Sequence, residues 1–324
     1  MRKRAELHAH LGSSVDPVIM WTIAHEQGIK LPSKDYWDFE DMITMSPTDK
    51  NVDVEAMTNN YFLFTQLIQS SPEAIETSVH SVIGGGYRKC NIVLQELRFN
   101  PMRRNRAGER DLDHIILAAL WGMRRGVLEY PEVKAGLILE LDRTFSYEQN
   151  AIIVEKAIRY QQDGIVGIDL SGPKRPTFSI EKHAPLFAKA RAAGLGLTLH
   201  TGEEGEVAEM QYVVEHIKPD RIGHGIKAAK DPELMKRLVA QGITLELCPT
   251  SNIKNSIVTD DAEMKSIIRA FVDNKVRITI NTDGPEMYQS NLAKEEDALI
   301  QKGIMSQEEI EQATACAFEA TFVK

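Results

Sequence analysis

His8 and His10, in the run Glu6-Leu7-His8-Ala9-His10-Leu11, are the first residues of this chain whose types and spacing can do chemistry. On a strand, alternate side chains share a face, so both rings can grip one cation. The pair alone equally fits two partly buried histidines. Later runs add weight. Residues 195–199 lead into His200-Thr201-Gly202-Glu203, residues 221–223 into His224-Gly225, and residues 277–282 into Asp283-Gly284-Pro285. Each is a short apolar or β-branched stretch that finishes on a metal-capable or titratable side chain followed, directly or within two residues, by glycine. Taken alone, Asp283-Gly284-Pro285 reads as a turn.

The elements that must position these groups follow from the same pattern. Buried strands are expected at about residues 5–11, 92–99, 134–141, 165–171, 195–201, 221–225, 243–250 and 277–283. Helical patterns lie between most of them, such as 179–193 before Gly194 and 231–241 before Gly242. Strand and helix alternating eight times predict an α/β TIM (β/α)8 barrel, with residues 1–324 as one domain. The stretch of about 16–82 is too long for one crossover. It reads as a helical insertion after the first strand, carrying the aromatic cluster Tyr61-Phe62-Leu63-Phe64, and is expected to cap the barrel mouth. Gly84-Gly85-Gly86 lacks the lysine and the preceding strand of a phosphate loop and is expected to end the helix before strand two.

In such a barrel the carboxyl ends of the strands converge on one face. His8, His10, His200, His224 and Asp283 all fall at that end. Three neutral imidazoles and one carboxylate suit Zn²⁺, with water in the remaining position at a lowered pKa. Glu203, three residues beyond His200, is placed to shuttle protons. Glu204 and Glu206 are nearby alternatives, more in keeping with solvated loop charges. His25, His80, His114, His183 and His216 fall in helical stretches and are assigned to packing or surface. Asp142-Arg143 and Glu96-Leu97-Arg98 are expected to form buried ion pairs near the mouth.

Composition bounds the rest. A chain of 324 residues, 43% hydrophobic, can bury a large core. A formal charge of −9 leaves no electrostatic footprint for nucleic acid or an anionic membrane. Three scattered cysteines make no disulfide framework and agree with a reducing compartment. The basic start Met1-Arg2-Lys3-Arg4 has no apolar stretch behind it, so a cytoplasmic protein is expected. Oligomeric state is not readable.

These residues resemble one family. His8-Ala9-His10, His200-Thr201-Gly202-Glu203, Ile222-Gly223-His224-Gly225, Cys248-Pro249-Thr250-Ser251-Asn252 and Asn281-Thr282-Asp283 are similar, in order and over nearly the whole chain, to the adenosine deaminase family of barrel amidohydrolases. The resemblance implies one Zn²⁺ per chain held by His8, His10, His200 and Asp283. It implies Glu203 as the acid that protonates purine N1, which requires a raised pKa, and His224 as the group that orients or stabilises the attacking hydroxide. It implies that Gly172 meets N3 through its backbone N–H, and it puts His10, Asp283 and Gly284 at the substrate. The product would be a 6-oxo purine nucleoside and ammonia.

Two positions depart from the family. Gly284 stands where many members carry a second aspartate against N7. Gly12-Ser13 stands where many carry Asp-Gly and use the aspartate against a sugar hydroxyl. Ser13 or Glu286 would have to replace these contacts. The reaction type therefore stands better than the substrate, and a purine nucleoside is ranked above AMP because no phosphate motif is evident. Two other readings remain: a mononuclear amidohydrolase acting on adenine, a modified adenosine or another amide, and a non-catalytic nucleoside-binding relative. A binuclear site would need a lysine at the end of strand four, where Asp169-Leu170-Ser171-Gly172 has none.

Overall fold

A computed structural model of the chain describes residues 2–45, 61–105, 111–205 and 207–324. Eight parallel strands run in chain order: β1 Arg4–His10, β2 Ile92–Phe99, β3 Lys134–Asp142, β4 Ile165–Ser171, β5 Gly196–Thr201, β6 Arg221–His224, β7 Thr244–Leu247 and β8 Arg277–Ile280. The ring closes just beyond β8, where Asp283 bridges Ala9: His10 N–H donates to Asp283 O at 2.8 Å and Asp283 N–H to His8 O at 2.9 Å. This is the TIM (β/α)8 barrel. Every residue of β2 is buried, as expected of a parallel strand covered on both faces.

β7 and β8 stop about three residues earlier than the pattern predicts. Pro249 opens a helix, Pro249–Lys254, and removes the donor that a longer β7 would need. Asp283 itself has φ of 63°, left-handed backbone that cannot extend a strand.

The glycine run 84–86 is a correction. It does not end its helix, which runs unbroken over Pro72–Cys90 and is capped by left-handed Asn91. Close packing accounts for glycine at two of the three positions, 84 and 86, while Gly85 has open space beside it. A Cβ on Gly86 would lie 3.1 Å from Gln95 Oε1, and one on Gly84 2.8 Å from the Tyr130 ring. Between β1 and β2 the helices Pro17–Glu26, Tyr36–Ile43 and Leu63–Ile68 precede it, while residues 46–60 of the expected insertion lie outside the described residues. All five histidines assigned to packing or surface sit in helical elements.

The barrel interior is charged. Arg98 donates to Asp169 Oδ2 at 2.8 Å and to Glu246 Oε2 at 2.9 Å, and Arg221 donates to Glu246 Oε1 and to Glu96, all with fully buried side chains. The ion pairs expected near the mouth are corrected: Glu96 is bound to Arg221 toward the amino end of the barrel, and Asp142, at the mouth, is bound to Arg103, whose side chain is 28% exposed.

The last residues close the amino end of the barrel. Glu96 Oε1 accepts from the Thr321 hydroxyl and Phe322 N–H at 2.6 Å each, and the Arg221 guanidinium lies 3.6 Å from the Phe322 ring centroid. A Cβ on Gly196 would come within 2.3 Å of that ring. Gly196→Val should therefore cost about 1–3 kcal/mol by overpacking. Chemical denaturation checks it, and an unchanged midpoint would show that the tail does not hold this seat. No helix among the described residues is long and apolar enough to cross a membrane.

Candidate active site

β1 brings His8 and His10 to the carboxyl end of the barrel, β5 brings His200, β6 brings His224, and the turn after β8 brings Asp283. His10 Nε2 lies 3.1 Å from His200 Nε2 and 3.3 Å from Asp283 Oδ1, and His8 Nε2 lies 3.8 Å from the same oxygen. His224 joins the group from the other side, its ring 4.9 Å from that of His8.

The opposite nitrogen of each ring meets a carboxylate. His8 Nδ1 is 2.7 Å from Glu246 Oε2, His10 Nδ1 is 2.8 Å from Glu140 Oε1, and His200 Nδ1 is 2.9 Å from Asp169 Oδ2. A carboxylate holds the proton on Nδ1, leaving Nε2 as a bare lone pair. His8 and His10 turn theirs toward Asp283 Oδ1, and His200 turns its own toward His10 Nε2; one ligand atom each of His8, His10 and Asp283, and likewise of His8, His200 and His224, lie within 4.8 Å of one another. His10 and His200 bring two Nε2 atoms within 3.1 Å, which repel unless a proton or a cation lies between them, and His8 Nε2 is buried with no hydrogen-bond partner. Water-free protein rarely tolerates that arrangement, and a divalent cation resolves it. The donor set therefore fits a metal ion.

Glu203 is recessed on the cavity wall, with 13% of its side chain exposed, and Oε2 lies 3.7 Å from His224 Nε2. Burial and the neighbouring Asp283 carboxylate push its pKa up to about 8, so it holds its proton at neutral pH. Asn252 donates to Glu203 Oε1 at 3.3 Å and pairs with His224 Nδ1 at 3.1 Å. An amide donor on Nδ1 puts the His224 proton on Nε2, facing Glu203. Asp283 Oδ2 accepts from the Ser251 hydroxyl. Both His224 and Asp283 adopt left-handed backbone, φ 60° and 63°, which costs about 1–3 kcal/mol each and persists only where surrounding contacts impose it.

Among the positions expected at the site, His10, Gly172, His200, Glu203, His224 and Asp283 line one cavity. His8 lies behind them, fully buried. Gly284 packs against Ser13 and Tyr288, and Ser13 turns its hydroxyl back to His10 O. Glu286 pairs with Lys89 at 2.6 Å, on a different cavity. Glu204 also lines the cavity, and Glu206 lies outside the described residues. Sequence reasoning missed Glu140, Asp169 and Glu246. Their signal was present, since an acidic side chain in the middle of an apolar barrel strand demands a partner.

A barrel of parallel strands that gathers imidazoles and carboxylates at its carboxyl end defines a metal-dependent hydrolase of the amidohydrolase type. The family model for adenosine deaminase matches residues 3–324, and the chain belongs to that family. It is 30% identical to an adenosine deaminase of Clostridium kluyveri over 98% of this chain and 89% of the other. It is 28% identical to an adenine deaminase of Acinetobacter baylyi, over 99% and 92%. A crystal structure of an amidohydrolase from Burkholderia ambifaria with bound zinc superposes with a TM-score of 0.84 at 21% identity, covering 99% of this chain and 86% of that one. The protein is a hydrolytic deaminase of adenine compounds.

Proposed function

We propose that this chain binds one Zn²⁺ through His8, His10, His200 and Asp283 and deaminates a 6-aminopurine nucleoside to its 6-oxo product and ammonia. The observation that carries the reading is a cluster of three ring nitrogens, each backed by a carboxylate, two of them facing Asp283 and the third 3.1 Å from His10 Nε2. The zinc bound in the Burkholderia ambifaria amidohydrolase supports the choice of ion. When bound, the ion supplies Lewis acidity that makes hydroxide available at neutral pH.

The chain's own residues do the remainder. Glu203, protonated by burial, gives its proton to purine N1 as charge develops there on addition at C6. His224, with its Nε2–H fixed by Asn252, orients the attacking oxygen. Gly172, at φ 89°, turns its backbone toward the cavity and meets N3. His10 and Asp283 touch the substrate as well as the ion, and the Gly284 position leaves N7 without a carboxylate. Phe62 and Gln66 on the cavity wall support a capping role for the described part of the inserted segment, over a single barrel domain.

Elemental analysis should find about one zinc per chain. Chelation should abolish ammonia release from a panel of adenine, adenosine, deoxyadenosine and 5′-modified adenosines, and added Zn²⁺ should restore it. A metal-loaded protein that releases ammonia from none of them would retire the purine reading.

A further inference from the structure

Four cationic side chains line the cavity: Arg103, Arg104, Arg143 and Lys174. Three have carboxylates. Arg103 pairs with Asp142 at 2.9 Å, Arg143 with Glu209 at 2.9 Å, and Lys174 approaches Glu209 at 3.7 Å. Arg104 differs. It is only 2% exposed, yet its guanidinium meets just two neutral acceptors, Gln69 Oε1 at 3.1 Å from Nε and Asn100 O at 3.2 Å from Nη1, with the Phe99 ring 5.6 Å away. A guanidinium has five N–H donors, so three of them have no partner among the described residues. A buried cation without a counter-charge is rare, because desolvation is not offset. Its pKa is correspondingly lowered to about 10 by burial, with Glu140 alone opposing.

The position of Nη2 says what the donors face. A Cβ on Gly12 would lie 3.2 Å from Arg104 Nη2 and 3.0 Å from the Phe62 ring. Gly12 is two residues beyond His10, on the same cavity. Glycine there leaves the space that the guanidinium fills, and a side chain at position 12 would displace it. Gln69 and Asn100 hold the group at Nε and Nη1, so its free edge is fixed in direction before any ligand arrives.

We propose that Arg104 is the anion subsite of this enzyme, and that the substrate carries a carboxylate or phosphate on the part of the molecule remote from its reacting C6. This rests on the purine reading, which puts C6 at the metal end and lets the rest of the ligand run past Gly12 and Phe62 to Arg104. With phosphate as the anion, it also reverses the expected ranking of nucleoside above nucleotide. A net charge of −9 describes the whole chain and says nothing about the sign of one cavity wall.

The test compares binding of inosine, inosine 5′-monophosphate and inosine 5′-carboxylic acid to the zinc-loaded protein by calorimetry, with ammonia release from adenosine, AMP and adenosine 5′-carboxylic acid measured alongside. A charge-assisted pair predicts that at least one anion binds about 10- to 100-fold more tightly than inosine. The stronger of the two identifies the group. In Arg104→Met that preference should vanish while inosine affinity changes less than about threefold, and Arg104→Lys should recover part of it. A merely structural arginine would instead weaken all three ligands together. The proposal is overturned if neither anion outbinds inosine in the wild-type protein, a result that stands even if Arg104→Met does not fold. Anion preference without any ammonia release would keep the subsite and retire the purine-nucleoside reading, while release from adenosine without anion preference would do the reverse.

Discussion

Glu203→Gln should lower kcat for ammonia release by about 10²- to 10⁴-fold, the range for removing a positioned general acid, while zinc content and thermal midpoint stay at wild-type values. The amide keeps the size of the side chain and its contact with Asn252 but has no carboxylic proton to give. Three features of the fold make the carboxyl a donor and not a carboxylate at neutral pH: its recess in the wall, the charge of Asp283 nearby and, to a smaller extent, the charge of Glu204. Glu204, on the same wall, is the internal control. Glu204→Gln should leave kcat within about threefold of wild type. If the two variants trade places, the acid is Glu204 and the proton path runs from the other residue of the turn.

Arg98→Met should be the most destabilising single change in the barrel interior, at about 3–5 kcal/mol, because it strands Asp169 as a buried carboxylate without a guanidinium and leaves Glu246 with Arg221 alone. The same two carboxylates orient His200 and His8, so zinc affinity should fall about 10- to 100-fold. Chemical denaturation and a competitive metal titration read the two effects separately. A variant as stable as wild type with unchanged zinc affinity would mean that the buried network neither supports the fold nor orients the ligands. Arg98 also donates to Leu7 O in β1, the strand that carries both His8 and His10, so its loss reaches three of the four proposed ligands.

Much of the site was legible because its groups stand where periodicity changes. A histidine or aspartate that ends an apolar run, repeated in strands one, five, six and eight, can be read without coordinates, since a parallel strand presents its last residue at the barrel mouth. Glu203 was legible for the same reason, by its offset from His200. Arg104 was not. Nothing in Met102-Arg103-Arg104-Asn105 distinguishes the arginine that pairs with Asp142 from the one that pairs with no acid among the described residues, and the difference arises only when β3 is laid beside β2.

The ion pairs show the same division. The acidic and basic residues of the strands announced a charged interior, but Glu96 finds Arg221, 125 positions away, and not the arginine two residues along its own strand. Order along the chain was enough for the barrel, the family and the set of metal-capable side chains, because each of those is written in local pattern and in the sequence of motifs. Which nitrogen of each ring the carboxylates leave free, which carboxyl burial keeps protonated and which guanidinium has no acidic partner among the described residues are properties of neighbours brought together by the closing of the barrel. They depend on distances of a few ångströms between residues far apart in the chain, and only the tertiary structure sets those.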